Sequence, residues 1–203
     1  MTAARASFAV RLLLAAAAGA AALALVGASS AAAKAPPKTF FFSGSTAILW
    51  DPAVLTPLGI TAAPGKGAVG AAEGLRVKIS EGEGTTRYPL SGRIRTVKGM
   101  TLEQGTTRVT LNWFTVGLGK GRPLSALVGS NADWGPRMTL FATTLRRASV
   151  VVRPGRFQLK NVPVTLTPVG AAVFNAHFGA GGAPFAAGQR VATLQLRTRS
   201  YLR

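Results

Sequence analysis

The sequence predicts an all-β fold: an antiparallel β-sandwich or barrel-like domain carrying two short α-helices. Short runs of branched and apolar side chains recur, with turn residues at intervals of eight to twelve positions. Strict alternation marks residues 75–80, where Leu75, Val77 and Ile79 interleave with Arg76, Lys78 and Ser80, the pattern of a half-buried strand. Only two stretches carry helix-start chemistry, and each follows a strand directly. Residues 162–166 form a strand, Thr167 offers an oxygen to the free N–H groups of a helix, and Pro168 fits the first helical position, where its missing N–H costs nothing. Val169, Ala172, Val173 and Phe174 give that helix an apolar face, with His177 and Phe178 in its last turn and Gly179 as its stop. A weaker version runs from a strand at 46–50 through Asp51 as cap and Pro52 to Leu58 and Gly59. The two units are expected to plug opposite ends of the β-domain.

In chain order, residues 1–33 read as a secretion signal peptide. Arg5 and Arg11 make a positive start, residues 12–26 an apolar centre, and Ala31, Ala32 and Ala33 a small-residue cleavage region. The alternative is a retained anchor, since residues 12–33 are uncharged for 22 positions and long enough to span a bilayer. Residues 34–38 (KAPPK) form a stiff extended leader, and 39–203 a single domain. Phe40, Phe41 and Phe42 open its first strand. A Gly- and Ala-rich loop is expected at 62–74, a turn at 81–87, a returning strand at 88–98, and bends at Gly99 and Gln104-Gly105. The longest middle strand is 108–116, with Val109, Leu111 and Trp113 on one face. A basic glycine turn at 117–122 leads to a strand at 124–128 and a polar loop at 129–136 carrying Trp134. Strands at 138–145 and 149–152 are split by Arg146-Arg147, and Pro154-Gly155 turns the chain into the strand before the second helix. After a loop at 179–188, residues 191–202 close the domain, with Leu194 and Leu196 inward and Arg197, Arg199 and Tyr201 on the other face.

About 170 residues from Lys34 onward suffice for one domain with a sizeable core. There is no cysteine, so disulfides and a lipid-modified N-terminal cysteine are both excluded, and the core alone holds an exported domain together. The full chain carries +18, and without Arg5 and Arg11 it keeps 22 basic residues against 6 acidic ones, a net of +16. From Trp134 to Arg203 there are ten Lys or Arg and no acid. Such a field attracts polyanions, among them anionic wall polymers; the plainer reading is a solvated Arg-rich surface with the Ala, Gly and Arg usage of a GC-rich genome.

Catalytic patterns are missing. Residues 65–70 (GKGAVG) match a dinucleotide-binding glycine fingerprint, but no buried strand leads in, Gly74 interrupts any following helix, and no βαβ alternation exists. Lys66 and Lys120 sit in glycine loops without the Ser or Thr that a phosphate-cradling loop places next. The acids are Asp51, Glu73, Glu81, Glu83, Glu103 and Asp133, none paired in a pattern for hydrolysis. No serine lies in a nucleophile elbow, His177 is the sole histidine, and one His without Cys makes a zinc site improbable. A non-enzymatic protein is expected. Arg93 with Arg95, and Arg197 and Arg199 with Tyr201, offer one basic stripe each, too little for a nucleic-acid reader. His177 has two readings: a helix-end histidine facing the negative dipole end, or one side of an iron-porphyrin pocket walled by Phe174 and Phe178.

The stretch Val164-Thr165-Leu166-Thr167, then 170–174 (GAAVF), then an aromatic and a glycine before Phe185, resembles the closing segment of HtaA domains, the haem-uptake domains of actinobacterial cell envelopes. Residues 91–94 (SGRI), 99–102, 109–116 and 124–128 are similar to the middle portion of that family, and Trp50 after an apolar strand to its opening. The resemblance implies an all-β domain with two short helices, displayed outside the cell, that binds haem through an axial tyrosine assisted by a histidine. This chain departs from it at both ligands: Leu58, Gly59 and Ile60 occupy the tyrosine's neighbourhood, and Val97 and Lys98 that of the histidine. Tyr88, Tyr201 and His177 are the remaining candidate ligands.

These readings converge on a secreted or wall-associated binding module, with haem or another apolar molecule as cargo. Its pocket is expected beside the first helix, drawing on Trp50, Leu58, Trp113 and Phe114, with His177 and Phe178 as further candidates; no catalytic or metal residue and no nucleic-acid partner is assigned. A membrane enters only through an uncleaved signal. The rival is a basic structural or adhesive envelope protein that binds anionic wall polymers.

Overall fold

The computed structural model describes residues 38–202 apart from 66–67, 72–73, 88, 131–132 and 180–181. The expected signal and nearly all of the expected leader, together with Lys66, Glu73 and Tyr88, lie outside these residues. The chain runs β1 (Thr39–Trp50), α1 (Pro52–Leu55) with a 3-10 turn at Thr56–Leu58, β2 (Thr61–Pro64), β3 (Val69–Ala71), β4 (Gly74–Thr85) and β5 (Ser91–Thr96). It continues with β6 (Met100–Gln104), β7 (Thr107–Gly117), β8 (Pro123–Ser130), β9 (Asp133–Thr143), a 3-10 turn at Arg147–Ser149 and β10 (Val150–Arg153). β11 (Arg156–Leu166), α2 (Pro168–Phe178) and β12 (Arg190–Leu202) complete it. Every pairing is antiparallel. The path β7-β5-β4-β1-β12-β11-β9-β8 returns to β7 through the β7–β8 pairing, so the sheet closes into a ring; β2 and β6, β3, and β10 are side pairings on it. The expected all-β antiparallel architecture with two short helices is the one found.

Alternation places the core. Leu75, Val77 and Ile79 of β4 are buried, as are Leu194 and Leu196 of β12, while Arg197, Arg199 and Tyr201 face outward. The expected loop at 62–74 instead contains β2, paired to β6, and β3, paired to β4; small Ala and Gly side chains hide a strand from a reading based on bulk. The polar loop expected at 129–136 is the tip of a hairpin, since Gly129 pairs with Trp134 and Ser130 with Asp133.

Two further corrections are larger. Period-2 counting puts Trp113 on the face of Val109 and Leu111, but the β7–β8 register shifts between Asn112 and Thr115. Trp113 adopts φ 49 there, so its side chain turns outward, 54% exposed, and Phe114 takes the interior position. The two strand–helix units also do not sit at opposite ends. β1 and β11 flank β12, each antiparallel to it, with Trp50 opposite Ala192 and Thr165 opposite Arg190. Two strands antiparallel to the same neighbour run the same way, so α1 and α2 both leave the ring at one end.

Candidate functional site

At the helical end both helices carry the expected caps. The Asp51 carboxylate accepts from Ala53 N–H at 3.0 Å, and Gly59 closes the following 3-10 turn at φ 64. Thr167 Oγ1 accepts from Gly170 N–H at 3.0 Å and donates to the Thr139 carbonyl at 2.7 Å, tying the helix start to β9. Gly170 lies so close to the Leu140 carbonyl that no Cβ fits between them, which lets α2 settle on β9. The core beneath is aromatic. Phe174 packs edge-on to Phe141 (5.9 Å), Phe178 (5.9 Å) and Phe185 (5.2 Å), and lies 6.3 Å from Trp50. Trp50 Nε1–H points to Met100 Sδ at 3.1 Å. Asn175 holds the return loop: its amide donates to the Phe185 carbonyl at 2.8 Å and accepts from Phe185 N–H at 3.0 Å. Sequence reasoning passed over Asn175; its place on the face toward the post-helix loop was the available signal.

The six expected ligand-binding residues therefore do not form one pocket. Trp50, Phe114 and Phe178 are core. Leu58 and His177 are half-buried at the helical end, and Trp113 stands on the outer wall. On α2, Val169, Val173 and His177 recur every fourth residue and so share a face, while Gly170, Phe174 and Phe178 occupy the buried one. Val169 is 46% exposed, and Val54, Leu58 and Val173 are packed against the core yet only partly covered. Both helices thus show apolar side chains at the same end of the ring. Ile60 is buried and Gly59 has no side chain, so residues 58–60 offer no side-chain oxygen there.

A second feature lies on the outside of the strand wall. A cleft of about 410 Å³ runs over β12, β1, β4 and β5, with Phe40, Phe42 and Tyr201 as one wall and Glu83, Arg93 and Arg95 opposite. Tyr201 stacks on Phe40 at 5.4 Å and 19° and tilts against Phe42 at 5.3 Å. Ser80, Arg93 and Arg95 also line an adjoining cleft of about 370 Å³ that ends at Val97, Trp113 and Arg137. Arg95 pairs with Glu81 at 2.7 Å. Arg137 donates to the Trp113 carbonyl at 2.8 Å and to Thr115 Oγ1 at 3.0 Å, bracing the bulge that turns Trp113 outward. Partial burial, and secondarily the charge of Arg95, hold the Arg137 guanidinium below its ordinary pKa. Among the described residues no three His, Cys, Asp or Glu side chains converge to hold a metal ion, and no helix is long and apolar enough to cross a membrane.

No family model matches the sequence, and no curated protein matches it. Solved structures do. The chain is similar to the C-terminal domain of HtaA from Corynebacterium glutamicum, with a TM-score of 0.57, covering 78% of this chain and 99% of that one at 11% sequence identity. The fold is that of an HtaA domain. The N-terminal domain of the same HtaA protein gives a TM-score of 0.50, covering 78% of this chain and 98% of that one at 12% identity. At 11–12% identity few residues are shared, and the resemblance seen in the sequence rests on a pattern of apolar, Gly and Thr positions.

Proposed function

We propose that this chain is a non-enzymatic binding module with the HtaA fold, exported and displayed at the outer face of the cell envelope, whose cargo is haem or another flat apolar molecule. The observation that carries this reading is the pair of short helices leaving one end of the ring with partly uncovered apolar side chains. Val54 and Leu58 come from the first unit, and Val169 and Val173 from α2. Exposed apolar surface of this kind favours an apolar partner, because covering it releases water. The extent of the fold likeness, nearly the whole of an HtaA domain, supports the same class of role.

Among the described residues, haem fits the donor set of the helical end through His177 alone. That imidazole continues the Val169–Val173 stripe beside Phe178, and its nitrogen is a suitable axial donor to iron. When bound, haem would supply iron and a flat apolar face; the chain would supply the imidazole and the apolar seat. Titrating hemin into the purified protein and following the Soret band tests this. A saturable shift is expected, abolished or strongly weakened in His177→Ala. Flat titrations with both hemin and metal-free protoporphyrin would overturn the reading.

A further inference from the structure

The outer cleft makes no use of the helical end, and its chemistry is different. Its two parts join through Ser80, Arg93 and Arg95, so one trough crosses β12, β1, β4, β5 and β7. Four strand spacings make it about 19 Å long. Aromatic side chains stand at both ends, Phe42 and Tyr201 at one and Trp113 at the other, 41%, 51% and 54% exposed. Between them lie Arg93 and Arg95 with Glu81 and Glu83, and Arg137 stands beside Trp113 at the far end. Arg93 makes no ion pair among the described residues although Glu83 stands opposite it in the register.

Beside the aromatic end the charge is unbalanced. Arg153, Arg156 and Arg199 are directly opposed across β10, β11 and β12, and Arg199 is next opposed to Phe42 of β1. Like charges in opposed register positions destabilise a sheet, and among the described residues none of the three has an acidic partner. An anion lying along this row offsets that repulsion.

We propose that this trough is a binding site for an acidic glycan, a linear polysaccharide carrying carboxylates. Each property of the trough meets one of that ligand. Its length and open sides suit a chain rather than a compact molecule. Aromatic faces at the ends stack on the apolar faces of sugar rings. Arginines in the middle and alongside pair with carboxylates, bidentately where the fork is free, as at Arg93. Glu81 and Glu83 accept hydrogen bonds from sugar hydroxyls, and they lower the trough's own balance to three arginines against two glutamates. That balance favours a sparsely charged chain over a nucleic acid with a phosphate at every unit, which two carboxylates would repel. The site does not rest on the helical-end reading.

Trp113 at one end of the trough is a built-in reporter. Hyaluronan oligosaccharides, linear and carrying one carboxylate for every two sugars, are titrated into the purified protein while tryptophan fluorescence is followed, with neutral dextran oligomers and single-stranded DNA of similar length in parallel. Saturable binding of the hyaluronan oligosaccharides at least fivefold tighter than either control is expected. Arg93→Gln, at an exposed position whose variant should unfold at the wild-type midpoint, and Tyr201→Ala, which loses ring contacts with Phe40 and Phe42 and is checked for a native circular dichroism spectrum, should each weaken it at least fivefold. His177→Ala should leave it unchanged, and Arg93→Gln should leave the hemin titration unchanged, so the two sites fail separately. The proposal is overturned by no binding of the hyaluronan oligosaccharides, by tighter binding of DNA, or by binding that neither trough variant weakens.

Discussion

Thr46 sits where a valine belongs. It faces the interior of β1, fully buried, and its hydroxyl finds no hydrogen-bond partner among the described residues. A buried hydroxyl without a partner keeps its desolvation cost, whereas an isosteric methyl has none to pay. Thr46→Val should therefore raise stability by about 1 kcal/mol, read as a higher urea midpoint with an unchanged slope; a lower midpoint would show that the hydroxyl is used. Single residues also mark where the sequence misleads. Leu75, Val77 and Ile79 follow strict alternation and are buried as that pattern demands. Trp113 belongs by count to the same kind of series, yet a positive φ at a bulge reverses it. Nothing local announces a left-handed tryptophan. The brace is Arg137, 24 positions further along the chain.

At the scale of elements, the caps were legible because their chemistry is local. Thr167 with Pro168, and Asp51 with Pro52, need only their next few neighbours to start a helix. Thr167 does a second task that no local pattern reveals, donating to the Thr139 carbonyl. Thr167→Ala should accordingly cost about 1–2 kcal/mol. Asp51→Ala, which caps a helix of four residues, should cost less. Paired chemical denaturation curves check the order, and equal losses would mean that the tie to β9 contributes nothing. Which end of the ring each helix leaves by was not legible. It depends on β12 lying between β1 and β11, a neighbour relation set by packing across more than a hundred residues of chain. The expected pocket failed for the same reason. Trp50, Trp113 and His177 are each in an element read correctly, but the ring directs one inward, one outward and one to the helical end.

For the whole molecule, charge is the dominant fact beyond the fold. The full chain carries +18, and the described ion pairs, Arg95 with Glu81 and Arg108 with Glu103, are exposed and offset little of it. Added salt screens repulsion among many arginines and sacrifices few attractions. The melting temperature should therefore rise between low and about 0.5 M sodium chloride, where the Debye length falls below about 5 Å; a fall would show that exposed pairs matter more than the field.

The pairing of Thr39 with Leu202 and of Trp50 with Ala192 joins the first strand to the last along most of their length. A ring sealed by its own final segment cannot finish assembling until that segment has arrived. Until then β1, with its three consecutive phenylalanines, keeps an open edge on the β12 side. A chain synthesised N-terminus first would hold that edge exposed until β12 is made, so folding should be slow, rate-limited by a closure between distant parts, and intolerant of even a short deletion within β12.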